Sequence, residues 1–176
     1  MNASPIARRF ACLSLSAVAA GVLVWLLAPP AALGQCDVLD LIVVVDNSGS
    51  MDDEENAMQL SINGLVQAFA GRGFETRLVL ISDNSICAPP PLGSGACPID
   101  ENLPGYRHVV HTVGSNSALS DLLDTHSQYS TTLRSGAHRS ILVVTDDNSD
   151  MDAAQFTNLL LTLPGFDAFR FHAAAL

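Results

Sequence analysis

The sequence has no lysine: its eight basic side chains are all arginines, set against 18 acids, for a formal charge of -10. A phosphate backbone repels a chain with a pI near 4.6, and no arginine cluster occurs beyond the first ten residues, so nucleic acid is excluded as a partner. Charge of either sign is scarce, at 15% of residues against 48% hydrophobic. Such a chain can bury a core and is not a disordered tail. Cys-x-x-Cys and Gly-x-Ser-x-Gly are missing, and the five histidines follow no metal or triad spacing. Zinc-ribbon and nucleophile-elbow chemistry therefore have no foothold, and no enzymatic role is expected. What remains in excess is acid, which points towards cations.

Part of the apolar content belongs to a targeting segment. Residues 1–34 begin with Arg8 and Arg9, continue through an apolar stretch at 11–28, and end in small residues at Ala31, Ala32 and Gly34. That order reads as a signal peptide cleaved after Gly34, with an uncleaved membrane anchor or a lipid anchor at Cys36 as alternatives. Its removal leaves six arginines against 18 acids, or -12, on an exported chain of residues 35–176 placed in the periplasm, at the cell surface or outside the cell. Cys87 and Cys97 bracket a Pro/Gly-rich stretch and read as a disulfide-closed loop of an oxidising compartment, with Cys36 left over.

Past the signal, short apolar runs alternate with amphipathic ones. Residues 39–45 (LDLIVVV), 76–81 (TRLVLI) and 140–145 (SILVVT) predict strands of a parallel sheet, and 106–113 (YRHVVHTV) a more polar strand at its edge. Met58, Ile62, Leu65, Val66 and Phe69 form one helical stripe stopped by Gly71 and Gly73. Leu119, Leu122 and Leu123 mark a second helix; Phe156, Leu159, Leu160 and Leu163 mark a third, before a last strand at 169–176. This alternation predicts a doubly wound α/β fold with a mostly parallel central sheet flanked by helices. Ending in a strand with no covering helix, it reads as stopping short of its final elements.

Three apolar strands run into the same triplet: Asp46-Asn47-Ser48, Asp83-Asn84-Ser85 and Asp147-Asn148-Ser149. The carboxyl ends of strands are where open α/β sheets bind ligands. Turn and capping chemistry suffices for Asp83–Ser85. In Asp46-Asn47-Ser48-Gly49-Ser50, by contrast, a carboxylate and two hydroxyls alternate, a hard oxygen set suited to Mg²⁺, Mn²⁺ or Ca²⁺. An EF-hand is ruled out: its sixth and twelfth positions hold Met51 and Ala57, or Met151 and Thr157 in the loop from Asp146. The row Asp52, Asp53, Glu54, Glu55 reads as acid at a helix start, and Ser50 with Asp53 as a capping box.

LDLIVVVDNSGSM together with ILVVTDD resembles the von Willebrand factor type A domain family, in which Asp-x-Ser-x-Ser after an apolar strand and a later strand ending in Thr-Asp build a metal-ion-dependent adhesion site. The resemblance runs from about residue 37 to the last residue. It implies that Asp46, Ser48, Ser50 and Asp146 are metal ligands, with Ser115 standing for the family's threonine and Ser117 second to it. It further implies Mg²⁺ as the resident ion (Mn²⁺ or Ca²⁺ as substitutes) and a protein or peptide partner that supplies a carboxylate. Asp147 replaces the family's glycine, Asp150 and Asp152 make the rim acidic, and a helix usual before the middle loop is lacking. Two rival readings are an Mg²⁺-dependent phosphohydrolase, which would want carboxylates at Ser48 and Ser50, and a metal-free structural domain.

Overall fold

A computed structural model describes residues 37–175; the signal reading of residues 1–34 and the reading of Cys36 as left over lie outside them. The elements in chain order are β1 (Asp37–Val45), α1 (Asp52–Ala70), β2 (Phe74–Ser82), β3 (Tyr106–Val110), α2 (Ala118–Asp124), α3 (His126–Tyr129), a 3-10 turn (Ser130–Thr132), β4 (His138–Thr145), α4 (Ala153–Leu160) and β5 (Arg170–Ala175). The five strands form one sheet in the order β3-β2-β1-β4-β5, and every pairing is parallel. The fold is the doubly wound α/β arrangement expected, and β3 lies at an edge.

Burial on both faces explains why the central strands are continuous apolar runs. Leu41, Val43 and Val45 of β1 meet Ile62 of α1 on one side, while Ile42 and Val44 meet Leu122 of α2 and Phe156 and Leu160 of α4 on the other. Residues 42–45 are all fully enclosed, and each such side chain contributes roughly 1.5–3 kcal/mol. One charge interrupts β1. Asp40 is 1% exposed, and it is neutralised at the amino ends of the strands by Arg139 at 2.7 Å and by Arg134, whose backbone N–H and guanidinium both donate to it. At this same amino end, remote from the ligand edge of the sheet, Leu39, Leu65, Phe69, Leu142 and His172 line an open groove of about 480 Å³.

Two local expectations change. The residue before α1 is Met51, fully buried and without a side-chain cap, so Ser50 and Asp53 do not form a capping box. The helix start is anchored instead by packing of Met51 and by the four acids of the first turn. Asp152 is the N-cap of α4, accepting from the N–H groups of Ala154 and Gln155, so it belongs to the helix end.

The chain leaves β1 for β2 and β3 on one side, then crosses to β4 on the other. The crevice where the strand order reverses is therefore between β1 and β4. Asp46 and Asp146 follow the carboxyl ends of these two strands, at the position where such sheets bind ligands.

Candidate metal centre

Asp46 extends β1 by one step: its N–H donates to the Val144 carbonyl at 3.0 Å, and the residue is fully buried. Burial of a carboxylate requires partners. One oxygen accepts the Ser48 N–H at 2.8 Å; the other accepts the Thr145 hydroxyl at 2.9 Å. The acid is thus held rigidly, with its oxygens aimed by the loop that follows β1 and by the last residue of β4. The hydroxyls of Ser48 and Ser50 lie 3.3 Å apart. Neighbouring ligands of an octahedral ion with bonds of about 2.1 Å sit roughly 3 Å from one another, so this pair matches two adjacent corners.

Asn47 points the other way and fixes the loop. It donates to the Glu55 carboxylate at 2.7 Å, and its carbonyl oxygen accepts the Asp83 N–H at 2.9 Å and the Val113 N–H at 3.3 Å. One side chain therefore joins the loops after β1 and β2 to the segment after β3. Glu55, 8% exposed, does more than face a helix dipole: it is the anchor for Asn47. The Asp83 carboxylate accepts the Ser85 N–H at 2.7 Å, the turn chemistry expected of that triplet.

The segment containing Ser115 is drawn to the same place. Its carbonyl accepts from the Thr145 hydroxyl at 3.3 Å. Ser117 is taken up locally, accepting the Gly114 N–H and donating to Asp121 of α2, so its hydroxyl is committed to the helix start. Among the described residues the Ser115 hydroxyl and the exposed Asp146 carboxylate make no hydrogen bond, and both remain available to a ligand. The loop after β4 is tied to Asn116 through Ser149, Asn148 and the Asp150 N–H. The donor set is hard oxygen throughout, which fits Mg²⁺ and disfavours zinc. Thr145, the residue joining Asp46 to Ser115, entered the sequence reading only as the threonine of the Thr-Asp pair that ends the later strand, with no role of its own; a threonine ending a β-branched strand otherwise looks like ordinary strand propensity.

A second polar cluster is built from the end of β2, the loop between β2 and β3, and β3 itself. Cys87 and Cys97 are disulfide-bonded, as expected, closing the loop between β2 and β3. Within that loop Gly93 is obligatory, because a Cβ there would meet the carbonyl oxygens of Ala88 and Asp100, the latter at 2.6 Å. Asp100 is enclosed and accepts from the Ala88 N–H at 2.7 Å and the Tyr106 hydroxyl at 3.0 Å; its other oxygen lies 2.6 Å from His108 Nδ1. The opposite nitrogen, Nε2, faces the Ser82 hydroxyl at 3.1 Å. Serine, histidine and aspartate thus stand in line, but Ser82 and Asp100 are fully enclosed and His108 is 5% exposed. No substrate carbonyl reaches the hydroxyl, so the row acts as a polar clamp. The Cys97 sulfur, an Asp100 oxygen and a His108 nitrogen lie within 4.8 Å of one another, a spread that could hold a metal ion. Parallel pairing of β2 with β3 brings Ser82 to His108, and the disulfide-closed loop between those strands carries Cys97 and Asp100 to them.

Burial first, then the Asp100 charge and hydrogen bond, push the Tyr106 hydroxyl well above the ordinary tyrosine range; burial does the same for Tyr129. Tyr106 is therefore a fixed proton donor to Asp100.

Comparison of the chain with protein-family models, curated proteins and solved structures finds no match. Among the described residues no helix is long and apolar enough to cross a membrane.

Proposed function

We propose that this chain is an exported binding module of the von Willebrand factor type A kind, which holds a divalent cation, Mg²⁺ foremost, and uses it to capture a carboxylate of a protein or peptide partner. The observation that carries the reading is the buried Asp46 carboxylate, fixed by the Ser48 N–H and the Thr145 hydroxyl beside the paired hydroxyls of Ser48 and Ser50. Ser48, Ser50, Ser115 and Asp146 line the rim, and Asp46 acts from behind them. Bound there, the cation supplies a Lewis-acidic position open to one more oxygen. Neutral hydroxyls leave the ion's charge largely uncompensated, which strengthens its pull on a partner's carboxylate. Such binding needs neither nucleophile nor general base. Export is supported by the disulfide and by the acidic chain's targeting-like first 34 residues.

The test is calorimetric titration of the full chain with Mg²⁺ and Mn²⁺. Wild type is expected to bind one ion at millimolar or lower concentration, and Asp46→Asn, which keeps the side-chain shape, to bind it at least about tenfold more weakly. Equal binding in the variant would remove the site from consideration. Turnover of a simple phosphate ester that disappears with the same substitution would favour the phosphohydrolase instead.

A further inference from the structure

We propose that Cys97, Asp100 and His108, whose ligand atoms already lie within 4.8 Å of one another, are joined by Cys87 once its bond to Cys97 is broken and form a second, redox-gated metal site that takes Zn²⁺ when the disulfide is reduced. The site is independent of the Asp46 centre and chemically unlike it: two soft thiolates with an imidazole and one carboxylate make a four-ligand set that selects zinc over Mg²⁺ or Ca²⁺.

The surroundings are already those of a metal-binding histidine and aspartate. His108 Nε2 faces both the Ser82 hydroxyl at 3.1 Å and the Ser82 carbonyl at 3.3 Å. A carbonyl only accepts, and the Ser82 hydroxyl itself donates to the Asp83 carbonyl at 3.1 Å. Nε2 therefore carries its hydrogen, and Nδ1 presents its other face to Asp100 at 2.6 Å, a contact that needs one shared proton between them. That proton occupies the place a cation would take. Asp100 has only this oxygen to give, since its second one is filled by the Ala88 N–H and the Tyr106 hydroxyl. The result is a monodentate carboxylate and an oriented imidazole, both with outer partners in place, as metal-ligating residues require.

The disulfide is the gate. It lies on the accessible side, with Cys87 and Cys97 half-buried while Asp100 and His108 are enclosed. Two electrons and two protons cleave the bond between the sulfurs: two reductant thiols supply both and leave as their own disulfide, whereas a phosphine supplies the electrons and leaves as its oxide, with the oxygen and the two protons taken from water. Zn²⁺ then replaces the two thiol protons and the proton shared by Asp100 and His108, releasing three. In a tetrahedral site with bonds of about 2.0–2.3 Å the ligand atoms stand roughly 3.3–3.8 Å apart. The Asp100–His108 pair opens by under about 1 Å to reach that spacing, and the sulfurs separate once their bond is broken. Zinc and disulfide are mutually exclusive staples of the same loop.

The experiment uses the full chain with Cys12→Ser and Cys36→Ser, so that only the two loop cysteines supply sulfur, and Co²⁺ followed by Zn²⁺ as probes. After phosphine reduction, one Co²⁺ per chain is expected, with the visible bands of a tetrahedral ion and a thiolate charge-transfer band, displaced by Zn²⁺; the oxidised chain is expected to show neither. Asp100→Asn should weaken zinc by at least about tenfold. If reduction loosens the fold, Zn²⁺ should restore the native circular dichroism of the parent chain and fail to restore that of Asp100→Asn. The proposal is overturned by a reduced chain that neither binds nor refolds with zinc. Binding equally tight in Asp100→Asn and His108→Gln overturns it as well, since the sulfurs alone would then hold the ion.

Discussion

The Thr145 hydroxyl, at the end of β4, donates to the Asp46 carboxylate just beyond the end of β1 at 2.9 Å, and so bridges the two strands that flank the switch in strand order. The same hydroxyl lies 3.3 Å from the Ser115 carbonyl and accepts the Asp147 N–H at 3.2 Å, so one oxygen gathers three segments of the candidate centre. Replacing it with a methyl group leaves a buried carboxylate oxygen without its donor. Thr145→Val is expected to cost about 1–3 kcal/mol in denaturant unfolding and to weaken Mg²⁺ binding, whereas Thr145→Ser should keep both near wild type. Equal behaviour of the two variants would separate Thr145 from the site.

At the opposite end of the sheet, Asp40 pairs with Arg134 and Arg139 inside the protein. Removing the acid strands buried positive charge, so Asp40→Ala is expected to destabilise the fold by about 3–5 kcal/mol, a large part of a typical domain's 5–15 kcal/mol. Urea unfolding measures it. Cation binding at the far edge should be unchanged under conditions where the variant is folded.

Tyr106 and Tyr129 are both fully buried, and their hydroxyls are raised above the ordinary range. Below about pH 10 folded and unfolded chains both keep these protons; above it only the folded chain does. The unfolded state then binds fewer protons, and stability falls as pH rises, by about 1.4 kcal/mol per pH unit for each tyrosine. Tyr129→Phe should flatten that alkaline slope by about half in denaturant unfolding measured between pH 9 and pH 11.

The Cys87–Cys97 bridge closes a loop with a sequence separation of 10, for which chain entropy gives a stabilisation of roughly 2–3 kcal/mol. Unfolding in the presence and absence of a phosphine reductant, with zinc chelated, is expected to differ by that amount. A difference near zero would mean that the polar clamp around Asp100 holds the loop without the bridge.

The parts of this molecule that repeat along the chain were legible in its sequence. The runs at 39–45 and 140–145 are strands because β-branched residues buried on both faces leave no other reading, and the stripe from Met58 to Phe69 is α1. Asp46, Ser48 and Ser50 could be read because their spacing is local. Asp40 carries no signal of its role within the run 39–45, since its partners lie 94 and 99 residues away. Ser82 and His108 likewise meet only through the pairing of β2 with β3, Asp100 joins them from the loop between those strands, and Asn47 reaches Glu55 across a helix start. The unread contacts are hydrogen bonds between residues 8 to 99 positions apart, whose donors and acceptors have no periodicity of their own.

The central claim, that the loop after β1 holds a hard divalent cation directly through its two hydroxyls, is tested most directly by Ser48→Ala/Ser50→Ala. Ser50 is exposed and Ser48 half-buried, so the double variant should unfold at the same denaturant concentration as wild type without Mg²⁺. At Mg²⁺ one hundred times the wild-type Kd, the wild-type chain is expected to gain about 2.7 kcal/mol of stability and the double variant almost none. The same gain in both would contradict the claim.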